Sequence, residues 1–111
     1  MSSEQISAEE LQKKRKAFAP KLMELNEQVL FGDIWERPGL SKRDRSLITV
    51  STLVALYRIN ELPFHIGRAI ENGVTKDELV ELFTHLAFYA GWPNAMTAIT
   101  LAMNILDERE K

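Results

Sequence analysis

Two sets of side chains have the types and spacing for acid–base chemistry. Glu61 and His65 lie four residues apart, so on a helix one stands above the other and they can share a ligand or a proton. Glu81, His85 and Tyr89 repeat that spacing later in the chain, with Trp92 just beyond. A histidine with an ordinary pKa of about 6.5 gives or takes a proton near neutrality, and a neighbouring carboxylate or cation moves that value. Each set also has a structural use. A glutamate favours the positive N-terminus of a helix, and a polar, aromatic helix flank closes a core edge or a subunit contact.

Other chemistries are excluded by residues the chain lacks. It has no cysteine, which removes disulfides, thiolate metal sites, iron–sulfur clusters and CxxC redox chemistry, because each needs the sulfur. Only two histidines are present, with no HExxH pair, so a zinc or iron site would need ligands from separate helices and none is expected. Ser46, Ser51 and Thr52 sit in neither a GxSxG elbow nor an SxxK arrangement, and no glycine-rich phosphate loop occurs. With 14 Lys plus Arg against 16 Asp plus Glu, the net charge of -2 gives no footprint for nucleic acid.

The longest nearly apolar run, residues 47–57, is interrupted by Thr49, Ser51 and Thr52 and falls well short of the roughly 18 residues of a membrane span. Residues 1–16 are polar and lack the apolar stretch of a secretory signal. These features lead to the expectation of a cytoplasmic protein that does not enter the membrane.

The elements that must position these groups read as helices throughout. Ser7 with Glu10, Ser41 with Asp44, and Thr75 with Glu78 are three capping-box starts. The first predicts a helix from Ala8 with Leu11, Phe18, Leu22, Leu25 and Val29 on one face, kinked or split at Pro20 and stopped near Gly32. Residues 33–40 read as a loop with at most one short helical turn, Trp35 plugging a core edge. The second start predicts a helix to Tyr57 or Arg58, apolar nearly all round, so its surface needs covering by partner subunits.

Asn60 is the expected cap of the next helix, with Pro63 in its first turn and Gly73 at its end. His65 falls at the margin of the stripe Leu62, Ile66 and Ala69. The third start predicts a stripe of Leu79, Leu82, Phe83, Leu86 and Ala90. After Gly91, a last helix from Pro93 should turn Met96, Ile99, Ala102, Met103 and Leu106 inward, before a charged end at residues 107–111. The expectation is a single all-α domain over residues 1–111, a compact bundle of about six helices, with an N-terminal arm (1–30) and a core (31–106).

The run Arg58, Ile59, Asn60, Glu61, Leu62, Pro63, Phe64, His65, followed in order by residues 69–79 and by Ala87, Phe88, Tyr89, Ala90, Gly91, Trp92, Pro93, resembles the carboxymuconolactone decarboxylase family. Asp44, Arg45, Ser46 and Leu47 look like that family's helix opening, and the resemblance covers residues 31–106. The alkylhydroperoxidase D branch of the superfamily uses a C-x-x-C-x-x-x-H motif, whose positions here read Arg58, Glu61 and His65. Thiol-dependent peroxidase chemistry by that route is thereby excluded.

The resemblance implies an alkylhydroperoxidase D-like helical bundle that assembles as a trimer or hexamer. It also implies cofactor-independent decarboxylation of a γ-carboxymuconolactone-type acid, a lyase of aromatic catabolism. As CO₂ leaves, the electron pair spreads through the conjugated double bond to the lactone carbonyl, and the resulting dienolate takes up a proton. On that reading His65 donates the proton, with His85 the competing acid. Glu61 orients His65, and Arg45 or Arg58 holds a substrate carboxylate bidentately. Tyr89 and Trp92 complete the substrate site. Three alternatives stay open: a non-catalytic oligomeric module binding a small lactone or acidic metabolite, a related lyase with another substrate, or a purely structural assembly.

Overall fold

The computed structural model describes residues 6–110; the first five residues of the polar N-terminal stretch, and Lys111 at the end of the charged tail, lie outside the described residues. Among the described residues all regular structure is helical, in six α-helices with one π turn and one 3-10 turn. They divide into two compact units, one through Gly39 and the other from Leu40.

In the first unit, α1 (Ala8–Phe18) starts at the expected capping box. The Ser7 hydroxyl accepts from the Glu10 N–H, and the Glu10 carboxylate accepts from the Ser7 N–H, both at 3.1 Å. The segment splits at Pro20, which opens α2 (Pro20–Leu25) at a position where its missing N–H is not needed. A π turn (Asn26–Leu30) and a 3-10 turn (Ile34–Glu36) follow, the latter being the single turn expected in the loop. Trp35 is buried and stacks on Phe31 at 6.0 Å. The stripe Leu11, Phe18, Leu22, Leu25 and Val29 is exposed, Phe18 to 92%. Neither α1, α2 nor the π turn buries any residue.

The second unit consists of α3 (Lys42–Ala55), α4 (Leu62–Glu71), α5 (Lys76–Leu86) and α6 (Trp92–Arg109). Both α3 and α6 pack on all three of the other helices. Four side-chain links set the directions. The Asn72 amide donates to the Ser46 hydroxyl at 2.9 Å, placing the end of α4 beside the start of α3. An Arg43–Glu78 ion pair joins the starts of α3 and α5. Arg109 and Glu71 pair at 3.1 Å, joining the ends of α6 and α4. The Asn94 amide donates to the Val54 carbonyl at 2.9 Å, joining the start of α6 to the end of α3. Thus α3 and α5 run one way, α4 and α6 the other, and the loops before α4 and before α6 share one end.

The core between these helices contains Val50, Val54, Leu62, Ile66, Leu79, Phe83, Ala98 and Ala102. Met96 and Met103, expected to point inward, are exposed; Ala102 is buried as expected, together with Ala95 and Ala98. A helix pressed against three others needs small side chains at the contact, and the two methionines lie roughly 120° round the wheel from that alanine stripe.

Two helix ends depart from the sequence-based expectation. First, α3 stops at Ala55, short of Tyr57. Tyr57 has a positive φ of 56°, with its N–H bonded to the Val54 carbonyl (3.1 Å) and the Arg58 N–H to the Leu53 carbonyl (2.8 Å). This is a Schellman ending, in which the residue past the cap takes the left-handed conformation. The end of α4 repeats it with Gly73, whose φ is 102°. Glycine adopts that region freely, whereas a tyrosine there is strained by about 1 kcal/mol or more. Second, the residue in the cap position of α4 is Glu61, not Asn60, and no side chain caps the helix.

Tyr57→Gly should raise stability by up to about 1 kcal/mol, read as a higher urea midpoint with unchanged slope. Ser46→Ala should lower it by about 1 kcal/mol or more, because the Asn72 amide loses its acceptor.

Candidate active site

The Schellman ending of α3 reverses the chain and brings Arg58 and Glu61 to the mouth of α4. The Arg58 Nε donates to the Glu61 Oε1 at 3.0 Å, and that hydrogen bond, then the glutamate's charge, raises the Arg58 pKa. His65 follows one turn later, and its N–H reaches back to the Glu61 carbonyl at 3.4 Å. Its ring is half-buried, with Nδ1 shielded from solvent, and lies edge-on to Phe64 at 5.0 Å. Burial pushes the His65 pKa below its usual value and the nearby Arg68 charge adds to the fall, while Glu61 pulls it partly back up. The three act as expected: desolvation and a cation disfavour the imidazolium, and an anion favours it.

Arg68 was not among the residues that sequence reasoning selected. Its guanidinium sits over the Phe64 ring, 5.7 Å from the centroid. At 100° per residue Glu61, His65 and Arg68 fall within about 60° of one another on the wheel of α4. The opposite margin of the helix turns toward α6: a Cβ on Gly67 would lie 2.9 Å from an Arg109 nitrogen. The signal for Arg68 was its spacing from His65 and Phe64, three and four residues, which makes helix neighbours.

The second ladder assembles differently from the first. His85 and Tyr89 stack at 4.8 Å, but α5 ends at Leu86, so Tyr89 reaches the histidine from the turn beyond the helix. Trp92 opens α6 and meets Phe88 edge-on at 5.9 Å. Tyr89 and Trp92 are 78% and 60% exposed, and Glu81 and His85 are also at the surface. The topology puts this aromatic group at the same end of the unit as Arg58 and Glu61. Arg45 lies elsewhere, in the first turn of α3 beside the Ser46–Asn72 link. In the antiparallel hairpin this is about two helical turns from His65.

Among the described residues, no three His, Asp or Glu side chains gather as a possible metal site. A small cavity of about 50 Å³ between α5 and α6, lined by Leu79, Phe83 and Ile99, lies toward the end of the unit away from Glu61. No helix among the described residues is long and apolar enough to cross a membrane.

The chain is 44% identical over 78 residues to the 4-carboxymuconolactone decarboxylase of Acinetobacter baylyi, covering 70% of this chain and 58% of that protein. It is 34% identical over 85 residues to the nitrosuccinic acid decarboxylase of Metarhizium robertsii, covering 77% and 59%. An uncharacterized 15.0 kDa protein of Paracoccus denitrificans is 24% identical over 86 residues, covering 76% and 64%. The chain thus spans about three fifths of the length of these curated relatives. The model of the carboxymuconolactone decarboxylase family matches residues 20–103, from the start of α2 to near the end of α6. By that match over most of its length and by the 44% identity, the chain belongs to the carboxymuconolactone decarboxylase family.

Proposed function

We propose that this chain decarboxylates a small lactone acid of the γ-carboxymuconolactone type without a cofactor, His65 supplying the proton. The observation that carries the reading is the half-buried His65, held between a carboxylate and a cation on a helix of this family, in a chain without a thiol. The relative from Acinetobacter baylyi supports the substrate class by name.

The C–CO₂ bond breaks and its electron pair moves through the ring double bond onto the lactone carbonyl, leaving a dienolate that is protonated at carbon. Before substrate arrives, burial and Arg68 favour neutral His65. An anionic substrate beside the ring raises its proton affinity, so that the imidazolium forms where the proton is needed. Glu61 stabilises that imidazolium by its charge while paired with Arg58. Arg45 and Arg58 are the arginines the family motif offers for a substrate carboxylate. Arg58 stands at the site end, Arg45 at the far end of the α3–α4 hairpin. His85, Tyr89 and Trp92 form an aromatic wall at the same end as Glu61, and His85 is the alternative acid.

The acceptor for the electron pair is open to a second reading. The relative from Metarhizium robertsii is named for nitrosuccinic acid, in which a nitro group serves as the sink, so an acid activated by another acceptor is the alternative substrate class. We further infer an alkylhydroperoxidase D-like assembly, a trimer or hexamer. The exposed Ile48 on α3 and Leu56 at its C-terminal cap, with Phe88 and Trp92 at the site end, support it.

Incubation of purified protein with γ-carboxymuconolactone should release CO₂. His65→Ala should lower kcat about 10²- to 10⁴-fold and Glu61→Gln should lower it less. His85→Ala should leave most turnover. Loss with His85→Ala alone transfers the acid role to His85, and no release by wild-type oligomer refutes the substrate assignment.

Because kcat/KM follows the free enzyme, it should fall as pH rises through the lowered pKa of His65. Stability should show the opposite dependence. A histidine with a folded-state pKa below about 6.5 binds its proton more readily when unfolded. The stability it confers is therefore present above that value and lost as pH falls below it. Thermal melts between pH 7.5 and 5 should show a drop in wild type that is reduced in His65→Gln.

A further inference from the structure

Tyr57 is the only residue other than glycine with a positive φ among the described residues. A bulky side chain disfavours that conformation, whereas glycine takes it freely, as Gly73 does in the equivalent turn of α4. Closing the turn therefore calls for no side chain at this position. The tyrosine side chain is 51% exposed, and among the described residues it makes no hydrogen bond, ion pair or ring contact. A strained residue whose hydroxyl has no partner inside the fold argues for a use outside it.

Its place in the fold narrows that use. The Val54 carbonyl accepts from the Tyr57 N–H at 3.1 Å and from the Asn94 amide at 2.9 Å, so Tyr57 stands where the start of α6 meets the end of α3. On its other side the chain runs straight into the candidate site. The Arg58 carbonyl accepts from the Glu61 and Leu62 N–H groups at 3.2 and 3.1 Å, and the Glu61 carbonyl accepts from the His65 N–H at 3.4 Å. Two consecutive turns of hydrogen bonds, roughly 10 Å of rise, thus lead from Tyr57 to the proton donor. A small lactone touched by a long side chain from one end and by a histidine from the other spans such a gap.

The reaction has a matching need. As the C–CO₂ bond breaks, negative charge collects on the lactone carbonyl oxygen. His65 gives its proton to carbon, and an arginine on the departing carboxylate leaves that oxygen untouched. A phenol donates a hydrogen bond without carrying charge, so it steadies the oxygen as charge develops and keeps its own proton. Tyr89, the other phenol of this end, is already stacked on His85 and has no positive φ.

We propose that the Tyr57 hydroxyl donates the hydrogen bond that stabilises the lactone carbonyl oxygen of the dienolate. This rests on the decarboxylase reading for the reaction, but the oxyanion site it describes is testable without turnover. Tetronic acid, a γ-lactone that is an enolate anion at neutral pH, is the probe, and uncharged γ-butyrolactone is the control. Calorimetry should show tetronate binding weaker by about tenfold or more in Tyr57→Phe, which keeps the ring and the backbone strain and lacks only the hydroxyl. The control should change less, and Tyr89→Phe should bind tetronate as wild type does. Tyr57→Gly, expected to fold more stably, should bind tetronate as weakly as Tyr57→Phe, which separates a lost contact from a lost structure. With γ-carboxymuconolactone, kcat of Tyr57→Phe should fall about 10²-fold at nearly unchanged KM.

Equal tetronate affinity in wild type and Tyr57→Phe overturns the proposal, as does loss in Tyr89→Phe alone. So does an equal loss for the uncharged control, or a complete absence of tetronate binding to wild type. CO₂ release is measured separately. Tetronate binding that depends on Tyr57, with no release by wild type, leaves the oxyanion site standing and removes the decarboxylase reading. Release with kcat unchanged in Tyr57→Phe does the reverse.

Discussion

The last carbonyl groups of a helix have no partners within it, and the end of α3 meets that requirement in a way that organises the whole four-helix unit. The carbonyls of Leu53 and Val54 accept from Arg58 and Tyr57 in the Schellman turn, and Val54 and Ala55 also accept from the Asn94 side chain at 2.9 and 3.4 Å. The first set of bonds turns the chain into α4. The second pins the start of α6 to the same point. Because both corners are tied to one helix end, Arg58, Glu61, His65, Phe88 and Trp92 come to a common end of the unit. Tyr57 accepts a strained backbone to close the turn, where Gly73 closes the equivalent turn of α4 without strain.

At that end the electrostatics rest on a balance of opposed effects of similar sign structure to those at many acid–base sites. Burial and Arg68 depress His65, and Glu61 restores part of the loss. A half-buried ring is sensitive to each, since neighbouring charges are screened less there than at the open surface. The Arg58–Glu61 pair is exposed and adds little to stability by itself. Its effect is positional, holding the carboxylate at the mouth of the helix whose second turn carries the histidine.

The other end of the unit is built for rigidity. Thr75 and Glu78 satisfy each other's backbone groups, and Glu78 also pairs with Arg43; the Thr75 N–H first, and the Arg43 charge after it, lower the Glu78 pKa. Ser46 and Asn72 close the α3–α4 hairpin there, and Arg109 with Glu71 ties α6 to α4.

The sequence alone determined the features that depend on near neighbours along the chain. The capping boxes at Ser7 and Thr75, the break at Pro20, the single turn around Trp35 and the stop at Gly73 are all local, fixed by hydrogen bonds and dihedral preferences within a few residues. The ordered motif around Glu61, His65 and Trp92 made the family legible for the same reason. Tertiary structure decided what depends on distant partners. It chose Ala95 and Ala98 over Met96 and Met103 for the inner face of α6, because close packing against three helices rewards small volume rather than hydrophobicity. It ended α3 early at a left-handed Tyr57, which no local preference would select. It also set Arg45 apart from His65, since the distance between side chains on different helices follows from the packing and not from their spacing in the chain.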